Sequence, residues 1–178
     1  MKNEEILDIV DEQGNVIGQA PRTKCHRNPK LIHQVVHCWI FNKRGQILWQ
    51  HRSIKKDSSP GLWDMSCGGH VPTGEKPLET LLRELYEELG IKLPTLEFVE
   101  KYIRGNDRQT ELIYLYYLID DRPKNEFKID ADETQKVQWI DVYEAQMKVI
   151  SKEVDATDFI FSQVSRIFQK VLVTSLGR

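Results

Sequence analysis

The chain has 178 residues, of which 40% are apolar and 29% are charged, and its formal net charge is −2. This length and balance predict one globular domain with an ordinary core. The charge excludes a general attraction to nucleic acid or to a membrane surface, and the apolar runs are too short to span a bilayer. The N-terminus lacks the features of a signal peptide, and three cysteines without a CxxC pair argue against disulfides and structural zinc. We therefore expect a cytoplasmic protein.

The first third of the chain alternates short strand-like segments with polar turns. Two hairpins are indicated, because each pair of β-prone segments is separated by a short turn sequence. A further strand follows a polar loop that ends in Pro60 and Gly61, and it leads into Gly68 and Gly69. The predicted strands are 5–10, 16–20, 33–41, 46–52 and 62–67.

The clearest predicted element is a helix from Pro77 to Leu89. Proline suits the first turn of a helix, and Gly90 suits the position just after its end. Five leucines recur at helical spacing and form one apolar stripe, which predicts the buried face. These leucines are Leu78, Leu81, Leu82, Leu85 and Leu89.

The remaining sequence predicts a third hairpin, one more strand and two helices. Together with the earlier elements, this order favours an α+β sandwich with a mixed sheet and helices on its faces. The predicted strands are 96–103, 109–119 and 136–140, and the helices are near 142–149 and about 158–173.

Three glutamates of the predicted helix, Glu84, Glu87 and Glu88, lie off the leucine stripe at i, i+3 and i+4. Like charges at these spacings destabilise an exposed helix by about 0.2–0.5 kcal/mol per pair. A hard divalent cation such as Mg²⁺, which takes oxygen ligands and substrate phosphates, would offset this repulsion. An acidic, solvated helix face is the alternative on these three residues alone.

The spacing around these glutamates extends to a longer motif. Gly69, Glu75, Arg83-Glu84, Glu87-Glu88 and Gly90-Ile91 fill a 23-residue pattern that resembles the Nudix box at every specified position. Seven strict positions at about 6% usage give a chance match of order 10⁻⁹ per window. The chain therefore resembles the Nudix hydrolases, and the resemblance implies one Nudix-type α/β/α sandwich over residues 1–178.

The resemblance implies cleavage of a diphosphate linked to another moiety, with Mg²⁺ or Mn²⁺ as cofactor. It implies that the Gly69 carbonyl, Glu84, Glu87 and Glu88 are the metal ligands, and that Arg83 orients the glutamates. One glutamate, or a carboxylate on a neighbouring loop, would act as the base. Read from the sequence alone, Glu133 is a candidate extra base on a loop, and a solvated acidic turn is the preferred interpretation. The expected partner is a small-molecule diphosphate rather than a nucleic acid polymer, and a homodimer is expected because relatives are often dimers.

The N-terminal half also resembles the isopentenyl-diphosphate isomerases, which share the fold. Their pattern implies a second metal site at His26 and His33, with His70 beside it as a metal or substrate contact. It implies diphosphate contacts from three cations, Arg22, Arg52 and Lys56. Cys67, Tyr102 and Glu111 fall near the catalytic cysteine, tyrosine and glutamate of the isomerases, which makes Glu111 a candidate catalytic residue.

Three departures favour a hydrolase over an isomerase. The isomerase cysteine directly precedes the first box glycine, whereas Gly68 intervenes here between Cys67 and Gly69. A carboxylate expected two residues before Glu111 is replaced by Gln109. The glutamates of the box are intact, and only a hydrolase needs them. Isomerase activity and non-catalytic binding of a phosphorylated metabolite stay open as alternatives.

Several other residues have plain structural interpretations. His37 alternates with His33 on one strand and is interpreted as a histidine at the edge of the core. The four tryptophans are interpreted mainly as core residues, and none is preferred for stacking on a nucleobase. Substrate specificity is expected to reside outside the box, in the loops 20–35, 52–61, 104–110 and 130–135.

Overall fold

The computed structural model describes residues 4–176 of the chain, and the side chains of residues 4–171. Over this range nine strands form one mixed sheet, four α-helices connect or cover it, and Lys124–Glu126 forms a short 3₁₀ helix. The strands are β1 Ile6–Val10, β2 Val16–Pro21, β3 Ile32–Phe41, β4 Gln46–Arg52, β5 Trp63–Asp64, β6 Cys67–His70, β7 Glu97–Gly105, β8 Thr110–Ile119 and β9 Thr134–Asp141. The helices are α1 Arg22–Cys25, α2 Pro77–Leu89, α3 Val142–Ile150 and α4 Ile160–Leu176.

Strand β3 is the centre of the sheet. It pairs in parallel with β8 along its whole length and antiparallel with β6 on its other side. Strand β4 pairs with β9 and β5, but it meets β3 only at Phe41 and Ile47. The second predicted hairpin therefore exists at its turn, and its two strands separate beyond it, where β6 takes the place beside β3.

The helices cover both faces of the sheet, which confirms the predicted α/β/α sandwich. On one face Leu81, Leu85 and Leu89 of α2 pack against a cluster that includes Val36 and Leu48. On the other face, buried residues of α3 and α4 pack against β3 and β4. The leucine stripe of α2 is narrower than predicted, because Leu78 is exposed and Leu82 is only half-buried. Gly90 ends α2 with φ 69°, a left-handed conformation that favours glycine.

The single strand predicted over 62–67 is two strands, β5 and β6. Ser66, which lies between them, donates a hydrogen bond to the Leu48 carbonyl at 2.6 Å and accepts one from the Ile40 amide at 2.9 Å. Its hydroxyl therefore bridges β3 and β4 at the place where their own ladder has ended. This use of Ser66 breaks the strand and separates the partners of β5 from those of β6.

The predicted N-terminal hairpin 5–20 is present and belongs to the same sheet. Ile9 of β1 pairs with His33 of β3, and Leu7 packs in a small buried cluster with Ala20 and Cys25. Helix α1, which the sequence did not indicate, is a single turn that follows β2 directly. It leads to His26, which enters the site described below.

The C-terminal helix begins at Ile160 rather than near 158. Asp158 pairs with Arg104, and the Phe159 ring lies 5.0 Å from the Arg104 guanidinium and 5.0 Å from the His37 ring. These contacts hold the two residues in a turn at the edge of the cavity described below. The predicted 1–178 domain is described only from 4 to 176, and in this part of the chain no helix combines the length and apolarity needed to cross a bilayer.

Candidate functional site

A cavity of about 570 Å³ opens where β3 and β4 have separated, and Gly68 and Gly69 of strand β6 form part of one wall. Its lining carries an unusual density of titratable side chains from six strands, two helices and their connecting loops. The carboxylates are Glu5, Asp64, Glu84, Glu88, Glu111, Glu133 and Asp158, the cations are Arg22, Arg52, Lys56 and Arg104, and the histidines are His26, His37 and His70.

Gly69 lies directly against the carboxylate of Glu84. A Cβ atom at this position would come within 2.7 Å of Glu84 Oε1, which is closer than real contacts allow. Only glycine lets α2 approach the β6 backbone this closely. Gly69 and Glu84 are therefore neighbours, and the role of the Gly69 carbonyl as a metal ligand stays a prediction.

Arg83 connects the acidic residues of the box. Its Nη1 donates to Glu84 Oε1 at 2.9 Å and to Glu87 Oε2 at 3.0 Å, and its Nη2 donates to Glu75 Oε2 at 3.2 Å. Glu75 also accepts a hydrogen bond from the Thr80 hydroxyl at 2.8 Å, so it joins the loop to α2. The Glu87 side chain is 54% exposed and lies outside the cavity lining, where Arg83 holds it.

Glu88 is the deepest carboxylate of α2. Gln50 of β4 donates to its Oε2 at 3.3 Å, and the same amide donates to Thr134. Burial raises the pKa of Glu88 to about 8, and the nearby charges of Glu84 and Glu133 act in the same direction. The sequence reasoning missed Gln50 and Thr134, although a glutamine within the apolar pattern of β4 was an available signal.

We expect the metal-free protein to lose stability as pH rises, because the folded pKa of Glu88 is raised above its ordinary value of 4.5. A raised carboxylate pKa contributes stability that is fully present below the unfolded value and is lost as pH rises through about 8. Urea unfolding in the presence of a chelator at about pH 6 and about pH 9 measures this slope. Glu88→Gln should flatten it, and an unchanged slope in that variant would contradict the assignment.

The three histidines named from the isomerase pattern come together. His33 on β3, His70 on β6 and His26 after α1 offer ring nitrogens that all lie within 4.8 Å of one another. The Nε2 atoms of His26 and His70 are 2.8 Å apart. Both ring nitrogens of His33 are buried and find no hydrogen-bond partner in the described part of the chain. Burial lowers the pKa of His33 to about 4, so the neutral ring keeps a lone pair that suits a transition-metal cation.

Glu111 lies opposite His33 in the parallel ladder of β8 and β3. Gln109, which stands where the isomerase pattern has a carboxylate, donates a hydrogen bond to Glu111 Oε1 at 2.8 Å. Burial raises the pKa of Glu111 to about 7, although the Arg104 charge opposes this shift. The cavity therefore holds a carboxylate that can exchange a proton near neutral pH.

The cations predicted to hold the diphosphate all line the cavity, but each is paired with a carboxylate. Arg22 lies 3.2 Å from Glu5, and Lys56 pairs with Glu133. Arg52 is the most fully engaged, since its Nη1 is 3.0 Å from Asp64 Oδ2 and its Nε and Nη2 donate to the Ser58 carbonyl. Arg52 thus connects Ser58 of the 53–61 loop to Asp64 of β5, and it also lines the site.

Cys67 faces away from the histidine side of the cavity. In the antiparallel ladder, Cys67 pairs with Cys38 and Gly68 pairs with His37. Side chains of successive strand residues point to opposite faces, so Cys67 joins the α2 cluster whereas Gly68 occupies the face of His37. Burial raises the pKa of the Cys67 thiol well above its usual range, and the Glu88 carboxylate adds to the shift.

Among the described residues, none of the four tryptophans lines the cavity. Phe159 is the aromatic hydrocarbon ring among the described lining residues. Tyr102 does not line the cavity, and its hydroxyl accepts a hydrogen bond from Gln163. A ligand in this cavity therefore meets carboxylates, cations and imidazoles over most of its surface.

Comparison with known proteins relates this site to a family. A model of the NUDIX domain matches residues 31–159. Nudix hydrolase 3 of Arabidopsis thaliana is 33% identical over 162 residues, which are 84% of this chain and 21% of that protein. An isopentenyl-diphosphate Δ-isomerase of Streptomyces coelicolor is 38% identical over 86 residues, which are 48% of this chain and 44% of the isomerase. The chain thus spans less than half the length of either relative.

The fold has a solved counterpart. A crystal structure of a Deinococcus radiodurans protein superimposes with a TM-score of 0.76 and 24% identity, and it covers 91% of this chain and 98% of its own. This match supports the sandwich described above, and the domain model covers more than half of the chain. These matches, together with the close approach of Gly69 in β6 to the glutamate helix, show that the chain belongs to the Nudix domain family.

Proposed function

We propose that this protein is a divalent-metal-dependent hydrolase that cleaves the diphosphate linkage of a nucleoside diphosphate derivative or a related organic pyrophosphate. The observation that carries this proposal is the charge of the cavity, whose lining has seven carboxylates and four cations. A diphosphate would be repelled by such a lining unless divalent cations neutralised it. The family relationship supports the same reaction class.

The residues around Gly69 fit a hard cation. Glu84 and Glu88 lie within the cavity, Gly69 contacts Glu84, and Arg83 holds Glu84 and Glu87 in place. Mg²⁺ or Mn²⁺ bound there would supply charge neutralisation and a water of lowered pKa. The chain's own contribution is to align these oxygens and to exclude bulk water from buried Glu88.

The other polar residues suit the rest of the substrate. Arg22, Arg52, Lys56 and His70 line the same cavity and are the proposed phosphate contacts. Glu111, with its pKa near neutrality, is the proposed proton acceptor for the attacking water. The expected homodimer and the expected cytoplasmic location remain predictions.

Phosphorus-31 NMR with Mg²⁺ and a panel of organic diphosphates tests the proposal directly. The panel should contain nucleoside diphosphate derivatives and isopentenyl diphosphate. New monophosphate signals that disappear in Glu88→Gln are the expected result. If no diphosphate in a broad panel is cleaved by the metal-loaded protein, the proposed function is wrong.

An isopentenyl-diphosphate isomerase is the second candidate, and the histidine cluster and the similarity to the Streptomyces enzyme favour it. The β6 register opposes it, since the position of the isomerase cysteine is Gly68 here and the Cys67 thiol lies on the other face. The same NMR experiment separates the two candidates, because isomerisation converts isopentenyl diphosphate to its allylic isomer without a change in the number of phosphates.

The histidine cluster is the proposed second metal site. We expect the protein to bind one equivalent of Zn²⁺ or Co²⁺ there, because a His33 ring nitrogen without a hydrogen-bond partner among the described residues would coordinate the cation. Elemental analysis after dialysis should show this equivalent in wild type and its loss in His26→Ala. His51→Ala, which removes a histidine outside the cluster, is the matched control. Equal metal content in wild type and His26→Ala would exclude the site.

A further inference from the structure

A buried polar chain ends at His37, a residue that the proposed chemistry does not use. Gln163 of α4 is fully buried and lies between β3 and β7. Its Oε1 accepts a hydrogen bond from Trp39 Nε1 at 3.0 Å. Its Nε2 lies 2.6 Å from His37 Nδ1 and 2.8 Å from the Tyr102 hydroxyl. Gln163 thus connects α4, on one face of the sheet, to His37 in the cavity wall, and Trp39 and Tyr102 are its other hydrogen-bond partners.

The chemistry of these groups determines where their hydrogens lie. An indole N–H is a donor only, so the end of the Gln163 amide near Trp39 is its oxygen. The other end is then the NH₂ group, which can only donate, so His37 Nδ1 must accept. A neutral imidazole that accepts through Nδ1 carries its proton on Nε2. Trp39 therefore selects the tautomer of His37 through the orientation of Gln163.

Because Nδ1 of His37 contacts Gln163, the proton-bearing Nε2 is the ring nitrogen left for the cavity that His37 lines. His37 lines the cavity beside Arg104 and opposite Gly68, and Phe159 packs on its ring. Nε2 has no hydrogen-bond partner among the described residues, and it is not one of the polar atoms sealed from solvent. Burial lowers the pKa of His37 to about 3, and the charges of Arg104 and Arg52 also oppose protonation, so the ring stays neutral.

We infer that His37 is a neutral hydrogen-bond donor to the substrate, with its tautomer fixed by Gln163, and that it recognises an acceptor oxygen on the organic group. The location supports this role. The proposed metal ligands Glu84 and Glu88 approach the cavity from the α2 face of the sheet. His37 lies on the α4 face, and Val35, Met65 and Phe159 also line the cavity. A hydroxyl or carbonyl oxygen in that half of the cavity would pair with Nε2, but a plain hydrocarbon chain would leave the donor unpaired.

The tautomer is tested without any substrate. Long-range proton–nitrogen correlation spectra of ¹⁵N-histidine-labelled protein distinguish the two tautomers and the cation, and loss of one pattern in His37→Asn assigns His37 among the five histidines. The expected pattern has a bare Nδ1 and a protonated Nε2. A proton on Nδ1, or a cation near neutral pH, would overturn the inference from wild-type protein alone.

Variants at Gln163 test the cause of the tautomer. Gln163→Glu removes the amide donor and presents acceptors only, so we expect His37 to move a proton to Nδ1. Ser162→Ala is the control on the next residue of α4, because its hydroxyl bonds only to the Phe159 carbonyl. A His37 pattern that is identical in Gln163→Glu and wild type would show that Gln163 does not position it.

The substrate half of the inference rests on the proposed diphosphohydrolase. The two probes are a nucleotide sugar and isopentenyl diphosphate. Wild type should have the higher kcat/KM for the nucleotide sugar, because only its organic group carries acceptor oxygens. His37→Phe should reduce that preference by roughly tenfold to hundredfold, the effect of one unpaired buried donor. A preference unchanged by His37→Phe would overturn this half. If other diphosphates of the panel are cleaved but the nucleotide sugar is not, this half fails and the proposed function stands; if no diphosphate of the panel is cleaved, both fail. The spectra decide the tautomer in either case.

Discussion

Replacing Glu88 with glutamine is expected to remove nearly all hydrolysis while leaving the protein folded. The Glu88 carboxylate is buried at the base of the cavity, where Gln50 holds it. Loss of this proposed metal ligand should remove several kcal/mol of transition-state stabilisation, which corresponds to a kcat on the order of 10³-fold lower. Stability near neutral pH should not fall, since glutamine fills the same space and, like the protonated Glu88 carboxyl, carries no charge. Steady-state kinetics and urea unfolding measure the two effects.

Glu126→Gln is the matched control, because Glu126 is an exposed glutamate outside the cavity lining and the substitution removes the same charge. It should retain wild-type kcat. Excess Mn²⁺ should not rescue Glu88→Gln, because the missing ligand rather than metal concentration limits the rate. Wild-type turnover in Glu88→Gln would show that the glutamate helix is not the catalytic site.

Replacing Arg52 with alanine is expected to cause the largest loss of stability of any change at the cavity. Its ion pair with Asp64 is mostly buried, with the two side chains 16% and 5% exposed. Breaking such a pair leaves an uncompensated buried charge and typically costs about 3–5 kcal/mol. The Ser58 carbonyl would also lose its donors, so the loop over β5 should open. The free energy of unfolding in urea measures this loss.

Two further variants separate the buried charge from other effects of losing arginine. Arg52→Ala combined with Asp64→Asn should recover part of the stability, because asparagine can still accept the Thr157 hydrogen bond without a charge. Arg22→Ala, which breaks the half-exposed pair with Glu5, should cost about 1 kcal/mol or less. Equal losses in Arg22→Ala and Arg52→Ala would contradict the importance of burial.

The local parts of the fold could be predicted from the sequence, because their signals lie within a few residues. Helix α2 has the predicted bounds, since Pro77, Gly90 and the leucine spacing act within one element. The sandwich follows from the order of such elements. The strand predicted over 62–67 failed because Ser66 bonds to both β3 and β4, and no local pattern reveals that β3 and β4 separate there.

The residues of the site divide in the same way. The glutamates of α2 could be proposed from the sequence because their spacing is short and belongs to one motif, and Glu84 and Glu88 line the cavity. The polarity of Gln50 within the apolar pattern of β4 was visible, but its partner was not, since its contact with Glu88 joins a strand to a helix 38 residues later. His37 was interpreted as a core-edge histidine because its partner Gln163 lies 126 residues away, on another layer of the sandwich. Pairings of this kind exist only after the layers have packed.

The position of Gly68 in β6 suggests how chemistry can change within one scaffold. A strand alternates its side chains between two faces, so one inserted or deleted residue moves every side chain on one side of it to the other face. With Gly69 and His70 held in register by the box, deletion of Gly68 would bring Cys67 onto the face of His37. A single-codon deletion, rather than any point substitution, would thus carry an existing thiol from the glutamate half to the histidine half of the cavity.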